Sequence, residues 1–432
     1  MNIESLYELF LQHPSISTDS RSIKPGSLFF ALSGDNFNGN RFAAEALDKG
    51  AACAIIDQAS FKTHANHIVV ENTQEALQSL AQYHRKQLKI PVLAITGSNG
   101  KTTTKELIVK VLQQKYRVGS TRGNLNNHIG VPLTLLEINR SHDIAVIEMG
   151  ANHPGEIGFL CELTRPQWGI ITNVGKAHLK GFGSFEGVIK TKKELYDYLA
   201  QHQGTRIINL DNAYLKNMAE SSPTISFSQQ SSQADLLVQD ILQTPHVQVI
   251  WQKNGHTERH TAKSHLPGKF HWTNIMYAVA SGVAFGIKPN AISKAIEAYI
   301  PSNNRSQLIH TKRNKVFLDA YNANPSSMRA ALDYFLSSEP PHKMLIVGEM
   351  MELGPYADEE HQEIVDYIKT RSHRIEQVFL VGASFERTNS GFSHYTTPAE
   401  LQQHLEKKQM TGKYIFIKGS RGNKLETLIK YL

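Results

Sequence analysis

Long apolar runs, paired cysteines and dense basic blocks are missing from this chain, and each absence narrows what it does. Nowhere do 18 uninterrupted apolar residues occur, so no membrane insertion is expected. The opening stretch Met-Asn-Ile-Glu-Ser-Leu-Tyr has no basic segment ahead of an apolar one, so secretion is not expected either and the expected location is cytoplasmic. The two cysteines, Cys53 and Cys161, lie far apart and fit no metal or redox spacing, which reads as two reduced, packed thiols. Basic residues number 46 against 39 acidic ones, a formal charge of +7, without a Lys/Arg block or an aromatic-interleaved basic stripe. Nucleic-acid binding is therefore not expected, and the small excess suits polyanionic small molecules. Internal repeats are absent, and the one biased tract, a Ser/Gln patch at 226–232, reads as a loop or hairpin tip.

What is present is an ordinary globular composition, 40% apolar and 20% charged, spread over 432 residues. That length exceeds one compact core and suggests about three domains. The most informative segment is residues 95–104, Ile-Thr-Gly-Ser-Asn-Gly-Lys-Thr-Thr-Thr, between the apolar run at 92–95 and a helical pattern carrying Leu107, Ile108, Val111 and Leu112. Strand, glycine-bearing loop and helix in that order form a phosphate-binding layout. Gly97 and Gly100 leave room for backbone N–H groups to approach phosphate oxygens, Lys101 can reach the terminal phosphates, and Thr102 can ligate magnesium. The strict motif has one more glycine where this chain has Ile95, so the loop is a shortened variant.

Residues 1–90 mix short strands and helices, with a turn-rich Gly34 to Gly39 segment and a helix near 73–88. Pro91 marks a boundary. From 91 to 307, strands at 144–147, 169–171 and 206–210 alternate with helices, the pattern of a largely parallel sheet; residues 235–265 read as hairpin material, 272–286 as a helix and 301–306 as a linker. In 308–432, four apolar strands at 316–318, 344–347, 378–381 and 414–417, each followed by a loop and a helix, imply a small doubly wound α/β domain. Its strand-end loops, 319–324, 348–349 and 418–421, are expected on one edge.

Glu148 ends an apolar strand, where a carboxylate either holds magnesium or caps the following turn. Thr172, Asn173 and His178 follow the next strand end, although one histidine among 20 says little by itself. Lys190, Lys192 and Lys193 share a helix whose simplest reading is a solvated face. Arg305 and Asp319 flank the junction of the last two regions, where they either serve a nucleotide or bridge domains.

Together these segments resemble the Mur ligase family over the whole chain: Thr-Gly-Ser-Asn-Gly-Lys-Thr-Thr at 96–103, Glu148-Met-Gly150, Thr172-Asn173 with His178, Leu266-Pro-Gly268 with Asn274, and Arg305. Within the family, residues 19–21, 121–132, 319–328, 348–354 and 418–421 are similar to the branch that adds D-alanyl-D-alanine to UDP-N-acetylmuramoyl-tripeptide. The resemblance implies an α/β protein of three domains: a UDP-precursor-binding domain at 1–90, a central P-loop ATPase-like domain at 91–307 and a C-terminal Rossmann-like domain at 308–432. It implies an ATP-dependent amide ligase acting through an acyl phosphate, as a monomer, in peptidoglycan precursor synthesis. By the same comparison Gly97, Ser98, Asn99, Gly100, Lys101, Thr102, Thr103, Asn274, Arg305, Asp319, Tyr321 and Asn322 would bind ATP. Thr102 and Glu148 would hold one magnesium ion; His178 and a carbamylated lysine, Lys192 ahead of Tyr196 with Lys190 and Lys193 beside it, would hold a second. Ser20, Arg21 and the Gly34 to Gly39 loop would bind the uridine end, Asn126 and Asn127 the sugar or phosphate end, and Glu349 and Ser420 the dipeptide. A ligase for the third amino acid, a folylpolyglutamate synthase and a nucleotide-regulated binding protein are the competing readings.

Overall fold

The computed structural model describes residues 2–34, 36–218, 223–243 and 245–432, arranged around three main sheets. In the first, strands Ile16–Ser17, Leu28–Phe30, Cys53–Ile56 and His67–Val69 lie side by side in chain order, all parallel. The helix Thr73–Gln87 follows. Asn72 caps it by accepting from Gln74 N and Glu75 N, satisfying donors that have no partner inside the helix. Its buried face then docks on the next unit: His84 Nε2 lies 2.6 Å from Ile138 O, and Arg85 Nε donates to Thr164 O at 2.6 Å. Of the turn-rich Gly34 to Gly39 segment, Ser33–Gly34 pairs with Phe37–Asn38, and Asp35 lies outside the described residues.

The central sheet has nine strands in the order His260–Lys263, Gln248–Lys253, Leu236–Leu242, Thr224–Ser228, Thr205–Asn209, Trp168–Ile171, Val92–Thr96, Ile144–Glu148 and Val118–Ser120. The last seven pair in parallel and the first two join through antiparallel pairings, which reverses Gln248–Lys253 alone, so 235–265 does form hairpin material. The Ser/Gln patch is a loop over residues 229–232, as expected, while Ser226 and Ser228 lie inside the preceding strand; the next strand pairs with it in parallel, so the loop turns no hairpin. Val92–Thr96 is buried throughout, as a central strand covered on both faces must be. Its carboxyl end delivers the glycine loop and the helix Lys101–Leu112, against which the helix Trp272–Ala284 packs.

The third sheet runs Gln307–His310, Lys315–Asp319, Tyr414–Lys418, Lys343–Gly348, Gln377–Val381 and Ser393–Tyr395, with only the first strand antiparallel. The two edge strands, short and half-exposed, carry too weak an apolar signal to be read from sequence. The last expected strand–helix pair also differs, because Tyr414–Lys418 is followed by the short 3₁₀ turns Arg421–Asn423 and Leu425–Tyr431. The three strand-end loops do share one edge. Asp319 pairs in register with Lys418, and Ser420 N and Asn423 Nδ2 both donate to Glu349 O, at 3.1 and 3.0 Å.

Gly282 tests the helix contact that backs the glycine loop. A Cβ there would stand 2.7 Å from both Ile292 Cδ1 and Val111 Cγ1. Alanine gains about 1 kcal/mol in helix propensity, against an overpacking cost of about 1–3 kcal/mol. Gly282→Ala is therefore expected to lower stability by up to about 2 kcal/mol, read from the urea midpoint.

Candidate active site

The loop at 97–100 is shaped by its neighbours. Gly97 has φ +141°, and a Cβ there would lie 2.0 Å from Thr172 Oγ1, so no side chain fits. Ser98 N donates to Asn173 O at 3.0 Å, Asn99 N to Asn173 Oδ1 at 3.0 Å, and Thr172 Oγ1 to Asn99 O at 2.6 Å. The adjacent strand end therefore holds the loop open. Gly100, at φ +78°, starts the helix Lys101–Leu112 and lets Asn274 Oδ1 approach to 2.7 Å of where its Cβ would be. The first amides of that helix have no partner within it and point positive charge into the space in front of the loop. Lys101 folds back onto Gly97 O at 2.7 Å, and burial lowers its pKa.

Glu148 ends its strand beside this loop and is 1% exposed. Its Oε1 accepts from Thr102 Oγ1 at 3.1 Å and from Asn126 Nδ2 at 2.8 Å, while its Oε2 has no hydrogen-bond partner. A buried carboxylate oxygen left free beside a phosphate loop and a threonine hydroxyl fits a hard cation. Among the described residues no three His, Cys, Asp or Glu side chains cluster as a metal site. That donor set suits magnesium, which takes few protein ligands and shares the rest with phosphate and water.

The expected residues converge on one cavity of about 510 Å³. Its wall includes the loop from Ser98 to Thr103, then Asn126, Asn127, Glu148, His178 and Asn274, and from across the linker Arg305, Asp319, Tyr321 and Asn322. Arg305 stacks over Tyr321, its guanidinium carbon 3.5 Å from the ring centre. Burial would raise the Asp319 pKa, but the charge of Lys418 and its hydrogen bond outweigh this and hold the carboxyl low. Asn127 Oδ1 accepts from Gly130 N at 2.8 Å, starting the helix Gly130–Glu137.

The expected residues outside the cavity wall separate by cause. Ser20 and Arg21 belong to the first sheet's unit, where exposed Arg21 pairs with Asp19. Glu349 accepts from Ser384 Oγ at 2.8 Å, and Ser420 Oγ accepts from Met351 N at 2.8 Å, so both side chains brace the loops of the third sheet. Lys192 corrects the surface-helix reading. It is 2% exposed, and the Phe182 ring, 5.3 Å from its Nζ, is the only polar or π partner the described residues give it. Burial, then the nearby charge of Lys101, lowers its pKa to about 7. Lys193 instead pairs with Asp197, and Lys190 is exposed.

Residues that the sequence reading missed also stand here. His271 lines the cavity with its Nε2 unpartnered, and burial lowers its pKa to about 4. Lys105, 3% exposed, is 3.8 Å from Glu148 Oε2. Glu352 reaches from the third sheet to within 2.5 Å of His178 Nδ1, which lowers its pKa. Asn324 Nδ2 donates to Asn99 Oδ1 at 2.7 Å, and Lys176 Nζ to Glu360 Oε1 at 2.6 Å, so the third sheet's unit is fastened directly to the loop. Lys105 left a signal in falling one helical turn after Lys101, and Asn324 and Glu352 lie inside the segments 319–328 and 348–354 without having been assigned roles.

Comparisons with known proteins agree with this architecture. Family models described as Mur ligase family, catalytic domain, Mur ligase middle domain, and Mur ligase, glutamate ligase domain match residues 14–85, 95–282 and 304–421. The chain is 36% identical to the UDP-N-acetylmuramoyl-tripeptide–D-alanyl-D-alanine ligase of Bacillus subtilis, covering 99% of this chain and 94% of that protein. It is 34% identical to the Escherichia coli protein of the same name, covering 97% and 93%. Among solved structures, MurF from Acinetobacter baumannii superposes with a TM-score of 0.84 at 31% identity, covering 96% of this chain and 92% of that one. MurF ligase from Thermotoga maritima in complex with ADP gives 0.84 at 25%, covering 98% and 97%. A Mycobacterium tuberculosis folylpolyglutamate synthase, at 13% identity and a TM-score of 0.63 over 83% of this chain and 94% of that one, shares the fold.

Gly97→Ala is expected to strain the loop by about 1–3 kcal/mol, read as a roughly tenfold or greater loss of ADP affinity by calorimetry. Unchanged affinity would mean that the loop does not carry the nucleotide.

Proposed function

This chain belongs to the Mur ligase family, and from that premise we infer that it is an ATP-dependent ligase joining D-alanyl-D-alanine to UDP-N-acetylmuramoyl-tripeptide, yielding the pentapeptide precursor of peptidoglycan with ADP and phosphate. The observation that carries the reading is the single cavity in which the phosphate loop, the Glu148 carboxylate and the C-terminal strand-end loops meet. Residues 1–90 would hold the UDP end through Ser20 and Arg21, 91–307 the phosphates, and 308–432 the nucleoside and the incoming dipeptide near Glu349 and Ser420. A reaction on ATP and a uridine nucleotide belongs in the cytoplasm, and the family resemblance suggests action as a monomer.

A carboxylate is a poor electrophile, so the tripeptide's terminal carboxylate first takes the γ-phosphoryl group of ATP, and the dipeptide amine then displaces phosphate from the acyl phosphate. Two like charges must meet in the first step. Lys101, the amides at the start of Lys101–Leu112 and Arg305 supply compensating positive charge already in place. Thr102 and Glu148 would hold one magnesium ion, and His178 with Lys192, once carbamylated, a second; when bound, such ions would supply positive charge against the phosphates. Asn274, Asp319, Tyr321 and Asn322 would orient the nucleotide, with Asn127 facing the precursor. The contacts of Asn324 and Glu360 with the central unit close the cavity against water, which would otherwise hydrolyse the acyl phosphate.

Lys192 supports the carbamate because a buried amine without a carboxylate partner gains an anionic head by reacting with carbon dioxide. Protein equilibrated with ¹³C-labelled carbon dioxide is expected to show a carbamate resonance that Lys192→Ala loses and Lys193→Ala keeps. Activity is expected to fall roughly 100-fold in Lys192→Ala; a resonance that survives in Lys192→Ala sinks the assignment.

The ligase itself is tested by phosphate release with ATP, magnesium and UDP-N-acetylmuramoyl-tripeptide, with and without D-alanyl-D-alanine. Release that requires the dipeptide, with a pentapeptide product by mass, is expected. Turnover with a single amino acid or glutamate instead would move the acceptor to a sister ligase or a folate enzyme.

A further inference from the structure

Residues 121–126 clamp the strand that carries Glu148. Thr121 N donates to Val146 O at 3.2 Å, Glu148 N to Thr121 Oγ1 at 2.9 Å, Asn126 Nδ2 to Glu148 Oε1 at 2.8 Å, and Gly150 N to Asn126 O at 2.7 Å. Lys105 joins the clamp from the helix behind it, donating to Thr121 O at 2.7 Å while its charge stands 3.8 Å from the unpartnered Glu148 Oε2. The segment then continues past the cavity, where Asn127 and His128 line the wall, and reaches the N-terminal unit: Gln78 Nε2 donates to His128 O at 2.9 Å. One short stretch thus touches the carboxylate, the cavity and the unit assigned to the UDP end.

We propose that residues 121–128 couple precursor binding to metal binding, with Asn126 as the positioning residue that aims Glu148 and Lys105 as the counter-ion that an arriving cation must outcompete. The proposal rests on Glu148 being the metal-holding carboxylate. Asn126 and Thr102 both occupy Oε1, which leaves Oε2 for the cation. Lys105 stands near that buried oxygen without hydrogen-bonding it, so the carboxylate is compensated while Oε2 keeps no hydrogen-bond partner. A precursor that contacts Asn127 or His128 fixes the segment and, through Asn126, the carboxylate; by linkage the metal then tightens the precursor by the same factor.

The test uses manganese(II) as the probe, titrated into the full-length protein with saturating ADP and followed by electron paramagnetic resonance, with and without UDP-N-acetylmuramoyl-tripeptide. The native protein is expected to bind manganese roughly five- to tenfold more tightly when the precursor is present. Asn126→Ala is expected to bind it about tenfold more weakly and to lose that tightening, as expected for removing a hydrogen bond to a charged group. Where Asn126→Ala does not fold, Asn126→Ser carries the same test. Lys105→Met is expected to bind manganese more tightly than the native protein while its metal-free melting temperature falls, and Lys105→Arg to behave as native. A purely structural lysine would lower the melting temperature without raising affinity, and that result overturns its part. Absence of precursor-induced tightening in the native protein, or its persistence in Asn126→Ala, overturns the coupling. Glu148→Gln separates the premise from the proposal, because undiminished manganese binding there means that the metal sits elsewhere.

Discussion

Much of this molecule is organised around the burial of one negative charge. Glu148 stands at the tip of an inner strand, almost wholly out of water. Removing a carboxylate from water costs several kcal/mol even after the protein relaxes. An ammonium 3.8 Å away contributes a Coulomb attraction of about 4 kcal/mol at an effective dielectric of about 20, and Lys105 has itself been desolvated to provide it. The ion pair alone therefore leaves the charge near balance, and the bonds from Thr102 and Asn126 supply the remainder. What stays without a hydrogen-bond partner is one buried oxygen, Oε2. The same electrostatics that make Glu148 costly in the free protein give it affinity for a cation.

Contacts around the same cavity tie the central unit to the third sheet's unit. The strand end at Thr172 and Asn173 props the glycine loop, and Asn324 from the third sheet's unit bonds the same loop through Asn99. Glu352 meets His178 from the same direction, and Lys176 reaches back to buried Glu360. Backbone contact adds to these bonds, Lys180 N donating to Glu352 O at 3.1 Å, and Leu179 and Phe182 belong to the same buried apolar cluster as Leu353 of the third sheet's unit. The two units therefore meet around the cavity through apolar packing as well as polar bonds.

The elements carrying phosphate chemistry were readable because their residue types have local reasons. A glycine between an apolar strand and a helix, a lysine at the helix start and a carboxylate closing an apolar run each announce themselves without the fold. The C-terminal sheet was readable for its inner strands, whose runs are continuously apolar, and unreadable at Gln307–His310 and Ser393–Tyr395, where half-exposed edges lose that signal. The helix expected after Tyr414–Lys418 followed from the repeating strand–helix pattern, yet Leu425–Tyr431 closes as 3₁₀. Glu352, His271 and Asn324 matter only through what the fold sets opposite them, and no local pattern encodes that.

Lys192 is the instructive middle case. Read as one of three lysines on a helix, it belongs on the surface, since a lysine is almost never fully buried unless paired. Yet the helix Phe185–Gln201 buries Val188, Leu195, Tyr196 and Leu199, and Lys192 falls four residues after the first and three before the second, on the same face. The periodicity therefore places the amine inside, while the residue type argues that it cannot stay there as an ordinary ammonium. Exposed Lys190 and Asp197-paired Lys193 show what lysines on the other faces do. The conflict between where the pattern puts Lys192 and what its charge tolerates is itself the signal of function. The carbamate proposed above would resolve it, replacing a buried amine with an anion that a metal could satisfy.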